Sequence, residues 1–169
     1  MFKIIVNWII RRAQRTPYHK GHLVHADGSL YMSRRALFET RWMSARVHHI
    51  ATPDSDCHLH DHPWPFISIL MRGSYMERRP VEVDPCFIEG ADVERHEDRA
   101  RHAGSIAFRR ATDRHAITRV SRDVWTLFIT FGRPMQWWGF YTRQGKVYFK
   151  DYAAQSDAPI SAVTQGQHA

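Results

Sequence analysis

The chain is 169 residues long, with 43% hydrophobic and 12% aromatic side chains, and its charges sum to 24 − 17 = +7 with histidine neutral. That length suits one compact domain, and the apolar content argues against wholesale disorder. The longest apolar run, Ile4-Ile5-Val6 and Trp8-Ile9-Ile10, is broken by Asn7 and stopped by Arg11-Arg12, well short of the ~20 residues of a membrane-spanning helix. No small-residue cleavage site follows it, so an intracellular, cytoplasmic protein without a membrane span is expected. The two cysteines, Cys57 and Cys86, form no Cys-x-x-Cys pair, which excludes a disulfide scaffold and a cysteine-built zinc site.

In chain order, Phe2, Ile5, Val6, Ile9 and Ile10 follow the rhythm of an amphipathic helix over residues 2–14, ended by Pro17. From residue 22 the pattern changes to short β-rich segments separated by turn residues. Leu23-Val24-His25 and Leu30-Tyr31-Met32 flank an Asp27-Gly28 turn signal that predicts a hairpin. Further strands are predicted over 41–50, 57–62 and 66–73, the last leading to Tyr75. Residues 80–102 are polar and charged and are expected to form a surface excursion. Strand signals resume at 105–108, 115–120, 124–131, 137–141 and 146–149. The expected organisation is a helix and lead-in at 1–20, one β domain at 21–152 and a flexible tail at 153–169.

Histidine is the unusual residue: of 12 in the chain, His48, His49, His58, His60 and His62 fall within fifteen positions. In an extended segment His58, His60 and His62 project to one side, while Leu59 and Asp61 project to the other. Three imidazoles facing an apolar interior are costly unless each is satisfied, and a metal ion satisfies them. Alternate positions are ~6.6 Å apart at ~3.3 Å per residue and can share an ion, whereas positions 58 and 62 are ~13 Å apart. One adjacent pair therefore binds, and His60 belongs to either pair.

The segment His60-Asp61-His62, three residues, Phe66, six residues and Gly73 resembles the first motif of the cupin superfamily, His-x-His, three or four residues, Glu, six residues, Gly. Gly104, five residues, Arg110-Ala111-Thr112, two residues and His115 resembles the spacing of the second, with Arg110 and Thr112 in place of its Pro and Gly. The phrase His60-Asp61-His62-Pro63-Trp64 also looks like the common cupin His-x-His-Pro-aromatic, and the likeness extends over roughly residues 27–150 to small bacterial and phage cupin-like proteins. The fold this resemblance implies is all-β, a double-stranded β-helix (jelly-roll) barrel with a short N-terminal helix. It implies a single divalent transition metal on His60, His62 and His115, with iron(II) first and zinc or nickel as alternatives. Phe66 stands where the family has its Glu ligand, an absence that resembles some cupin thiol dioxygenases. The implied function is a metal-dependent dioxygenase or oxygenase acting on a small, anionic molecule. The competing reading is a cupin without metal that serves as a ligand sensor or accessory module.

Alternation from Phe66 and from His115 assigns Ser68 and Arg72, and Ile117 and Arg119, to the barrel side; Ser68, Arg72 and Arg119 are the expected substrate-binding residues. Either guanidinium would suit a carboxylate or phosphate. Tyr75 and Glu77 are candidates for proton transfer or for support of a ligand. Trp125, Trp137, Trp138, Phe128 and Phe140 read as core, although aromatics among arginines could also stack nucleic-acid bases. A homodimer through edge strands is a further expectation from the family. Phosphate loops, nucleophile elbows and paired-carboxylate motifs do not occur.

Overall fold

In a computed structural model, residues 2–25, 28–54, 58–81, 95–142, 145–151 and 161–163 are described. Helix α1 (Phe2–Gln14) is followed by strands β1 (Tyr18–Val24), β2 (Leu30–Glu39), β3 (Met43–Ile50), β4 (Phe66–Arg72), β5 (Ser74–Pro80), β6 (His96–His102), β7 (Ile106–Arg109), β8 (Ala116–Val120), β9 (Val124–Phe131), β10 (Gly139–Thr142), β11 (Gly145–Tyr148) and β12 (Ser161–Val163). The strands form a seven-stranded sheet in the order β12-β1-β2-β3-β9-β4-β7, a three-stranded sheet β6-β5-β8 and the ribbon β10-β11. Every strand pair is antiparallel, so each strand can present one polar and one apolar face.

The two larger sheets meet through an apolar cluster of Leu23, Tyr31, Met32, Ile50, Leu70 and Val124 from one and Tyr75 and Ile117 from the other. Between them lies a cavity of about 510 Å³. On its far side, the large sheet buries Val47, Met71 and Trp125 against Val6, Ile10 and Ala13 of α1. The helix therefore uses its 6, 10, 13 stripe as a lid over the outer face, leaving Ile4 and Trp8 exposed.

Several boundaries differ from the sequence reading. β2 runs for ten residues, with Met32 and Arg34 both on the cavity side, a mixed apolar and charged pattern that hides the strand. Residues 96–102 are not a surface excursion: they pair with β5 from Ser74↔His102 to Pro80↔His96. This is an edge strand whose side chains are mostly exposed, Arg101 excepted, which reaches Glu77, and a mostly polar, exposed pattern reads as loop. The predicted strand over 57–62 is reduced to isolated bridges of His60 with His115 and with Phe140. Residues 161–163 pair with β1, where a tail was expected. The Asp27 turn position, Cys57, Cys86 and the rest of the tail lie outside the described residues.

Gly73 joins β4 to β5 at φ +80°, and a Cβ there would meet Val124 Cγ2 at 2.9 Å and Val124 Cα at 3.0 Å. Both the left-handed backbone and the approach to a neighbouring main chain exclude a side chain. Gly73→Ala should cost about 1–3 kcal/mol, read as a lower urea midpoint at unchanged slope.

Candidate metal centre

Residues 59–61 run between His115 and the start of β10. His60 N–H donates to His115 O at 2.8 Å, His115 N–H donates back to His60 O at 3.0 Å, and Tyr141 N–H donates to Leu59 O at 2.8 Å. Asp61, fully buried, points away from the cavity, where its carboxylate accepts from Lys146 Nζ at 2.6 Å, Tyr141 Oη at 2.8 Å and Gly139 N at 3.0 Å. With Asp61 pinned outward, strand alternation turns His60 and His62 inward.

There the imidazoles of His60, His62 and His115 converge, each offering a nitrogen within 4.8 Å of the others. Their ring centroids are 4.7 to 5.2 Å apart. The Nε2 atoms of His62 and His115 lie 3.0 Å apart. Nitrogens at that separation can share a proton, or, with bonds of ~2.1 Å, sit as neighbouring ligands on one ion. Behind the rings stand two buried carboxylates: Glu77 Oε1 is 3.3 Å from His115 Nδ1, and Asp54 Oδ2 is 3.7 Å from His60 Nδ1. A carboxylate on that side favours a proton on Nδ1 and leaves the Nε2 lone pair facing the cavity, the tautomer a metal ligand needs. The donor set fits a single divalent ion of the imidazole-preferring kind.

Both carboxylates are held in turn. Glu77 accepts from Arg109 Nη2 at 2.8 and 2.7 Å and from Arg101 Nε at 2.9 Å. Asp54 accepts from the Tyr31 hydroxyl and from Ile117 N at 2.6 Å. Burial alone would raise the Glu77 carboxyl, yet the hydrogen bonds and charges of His115 and Arg109 outweigh it and hold the group far below the usual carboxylate range. Burial pushes His60 down to about 4, against the partial support of Asp54, and burial with the neighbouring His60 and His115 lowers His62 well below 6.5. Those two rings are therefore neutral at physiological pH and open to a metal without proton competition.

Phe66, 2% exposed, stands where the resembled cupin motif has Glu, and its ring packs edge-on against His62 at 4.6 Å. Phe128, Trp138 and Phe140 complete an apolar surround, with Trp138 centred 6.4 Å from both His60 and His62. Ser68 lines the cavity and is hydrogen-bonded to Tyr75, whose hydroxyl burial pushes up to about 12. His58 is exposed and lies outside the cluster, as does His102 at the end of β6.

Arg72 and Arg119 do not line the cavity. A register shift between Leu70 and Arg72 sets Arg72 opposite outward-facing Trp125, where it binds Asp123 at 2.8 Å and Asn7 of α1 at 2.7 Å. A second shift, with Met76 opposite Arg119 and Glu77 opposite Ile117, inserts Thr118 and leaves Arg119 exposed on the outer face. Each bulge reverses the alternation on which the assignment rested. The arginines that do line the cavity are Arg34 and Arg46, accompanied by His48. Their sequence signal was the polar alternation Arg46-Val47-His48 within an otherwise buried strand.

No family model and no curated protein matches the sequence. Similar solved structures include an iron(II) form of HppE at 15% identity and TM-score 0.50, aligned over 70% of this chain and 57% of that one. KdgF from Halomonas sp. is 13% identical with TM-score 0.47 over 71% of this chain and 91% of that one. A mannose-6-phosphate isomerase-like protein from Ralstonia eutropha is 13% identical with TM-score 0.46 over 60% and 84%. These are cupin-fold proteins, and this chain spans little more than half the length of HppE. The fold and the site define a cupin-like β protein with a three-histidine cluster suited to a metal ion. No helix of the described residues is long and apolar enough to cross a membrane.

Glu77→Gln removes the negative partner of buried Arg109 and should cost roughly 3–5 kcal/mol in urea unfolding, far more than removal of a surface pair. The pH dependence of the metal-free protein has two windows. His60 and His62, depressed below 6.5 in the fold, bind protons first in the unfolded chain, so stability falls as pH drops from 6.5 toward 4. Glu77, also depressed, contributes above 4.5 and withdraws that contribution below it. Thermal unfolding from pH 8 to 3 should show a plateau, then a decline beginning near 6.5 that continues through 4.5.

Proposed function

We propose that this protein is a metal-dependent oxygenase, in which His60, His62 and His115 hold one iron(II) ion and a small anionic molecule binds beside it in the cavity. The observation that carries the reading is the convergence of three inward imidazoles, two of them with carboxylates behind their Nδ1 atoms. An ion held by three neutral nitrogens would supply open positions for dioxygen and substrate together with redox capacity. Iron is favoured over zinc because the similar cupin-fold HppE is an iron(II) protein; zinc or nickel would suit the same ligands.

The chain's own residues divide the remaining work. Glu77, itself held by Arg101 and Arg109, keeps the His115 ring oriented and its proton on Nδ1. Phe66, Phe128 and Trp138 exclude bulk water from the imidazole face, which strengthens every charge interaction inside. Tyr75 stays protonated through neutral pH and, with Ser68, offers hydroxyl donors to a bound molecule. With Phe66 in place of a carboxylate ligand, a bound divalent ion would keep its full double charge, which favours an anionic ligand.

The full-length protein, purified without a histidine tag and reconstituted anaerobically, should carry close to one iron per chain by emission spectrometry. A His60→Ala/His115→Ala variant should carry none. At saturation a thousandfold above Kd, the ion should add about 4 kcal/mol and raise Tm by about 10 °C, an increment reversed by chelation. Stoichiometric zinc that iron does not displace would instead favour Lewis-acid chemistry, and a chain that takes up neither metal is a binding module.

A further inference from the structure

The cavity carries a second polar feature that the histidine cluster does not use. Along the inner face of the large sheet the register sets Arg34 of β2 opposite His48 of β3, and Arg46 of β3 opposite Phe128 of β9. Arg34 and Arg46 are thus diagonal neighbours on adjacent strands, and both line the cavity. Arg46 is 8% exposed, and the Nε atoms of both arginines are buried without a hydrogen-bond partner. The outer end of Arg46 reaches Glu39 Oε1 at 3.3 Å on the rim, where Glu39 is half exposed. Arg34 has no carboxylate partner among the described residues, and burial, with Arg46 as the next cause, lowers it to about 10. Arg34 has no counterion on this wall among the described residues and Arg46 has only half-exposed Glu39 at the rim, an arrangement that is costly in a protein with no use for it.

The acids nearby do not relieve that cost. Glu77, the one acid among the described residues that line the cavity, is taken up by Arg101, Arg109 and His115. Asp54 is taken up by Tyr31 and the Ile117 amide and faces His60. An arginine pair facing a cavity of about 510 Å³ has room beside it for an anion from outside the chain.

We propose that Arg34 and Arg46 form the anion-gripping end of the cavity and that the ligand carries a doubly charged phosphoryl-type head, a phosphate monoester or phosphonate. One guanidinium fork is already satisfied by the two oxygens of a carboxylate, whereas a head with three terminal oxygens and up to two charges can bridge two forks. The body of the ligand has a path to the imidazoles. His48, beside Arg34, stacks on Phe128 at 4.9 Å, and the Phe128 ring is 5.7 Å from that of His62. The inference rests on the proposed function only in placing the ligand in the same cavity as the histidine cluster. It replaces Arg72 and Arg119, which lie outside that cavity, with a pair on strands where no ligand residue was expected.

The test is calorimetric titration of the full-length protein, both as purified and after chelation, with phenylphosphonate, inorganic phosphate and benzoate. The first two should bind one-to-one, compete with each other, and bind at least tenfold more tightly than benzoate in both preparations. Arg34→Gln and Arg46→Gln should each weaken phenylphosphonate binding at least tenfold, while Arg72→Gln leaves it unchanged. Arg34→Gln should also keep or raise Tm, since it removes one of two neighbouring buried cations. If it does not fold, Arg46→Gln and Arg34→Lys, read the same way, decide the matter. Affinity equal to that for benzoate, or affinity untouched by these arginine variants, overturns the proposal. Phenylphosphonate binding that vanishes on chelation and ignores Arg34 assigns the anion to the ion and also overturns it. A protein that takes up no metal yet binds phenylphosphonate through Arg34 upholds this inference while the oxygenase reading fails.

Discussion

Two amide hydrogen bonds between His60 and His115 bring the first and second histidine segments, 55 residues apart in sequence, to one place. A mutual bridge of this kind sets both position and facing, because side chains on paired antiparallel residues stand on the same side. On the opposite face Asp61 acts as the counterweight. Its carboxylate is satisfied by Lys146, Tyr141 and the Gly139 amide, so the segment cannot rotate to bring Asp61 inward without leaving a buried charge unpaired. The direction of the imidazoles is therefore decided by a residue that never touches the cavity. The same device recurs at Glu77, where Arg101 and Arg109 hold a carboxylate against His115.

Much of this was legible in the sequence, because period-two alternation survives wherever the backbone stays regular. The His60-Asp61-His62 pattern and the 115, 117 alternation at the start of β8 needed only an uninterrupted extended chain, and both histidine groups face the cavity. Arg72 and Arg119, set on the cavity side by simple alternation, lie outside that cavity for one shared reason. Each lies just beyond a bulge, and an extra residue in one strand leaves no mark in composition while reversing every later side chain. The edge strand β6 was missed because a strand paired on one side only, and polar along most of its length, satisfies no burial pattern.

Arg34 and Arg46 escaped the reading for a different reason. Basic residues occur throughout the chain; the alternation Arg46-Val47-His48 sets Arg46 and His48 on one face without saying that this face lines a cavity, and Arg34, in the pair Arg34-Arg35, carries no such signal. What sets them apart is tertiary: which neighbours they find, and that the nearby carboxylates are already engaged. Glu77 is buried between two other guanidiniums and an imidazole, and Asp54 is bound by a hydroxyl and an amide. A charge inventory of the sequence reports only the surplus of +7 and cannot say where inside the fold it goes unmatched.

Phe66, standing where the resembled cupin motif has Glu, and the arginine end of the cavity bear on each other. A fourth, anionic ligand would halve the charge of a divalent ion and reduce its pull on an anion in the same cavity; a phenyl ring leaves that charge whole and adds no donor. Phe66, through its contact with Phe128, also belongs to the aromatic wall that separates the imidazoles from the arginine end. With an ion held by the imidazoles, an apolar strip between it and the arginine end would lower the local dielectric and lengthen the reach of both fields. An elongated molecule with its negative charge at one end and its reacting group at the other matches that distribution, whereas a compact anion satisfies only one end. The register of β2, β3 and β9 fixes where Arg34 and Arg46 stand at the arginine end.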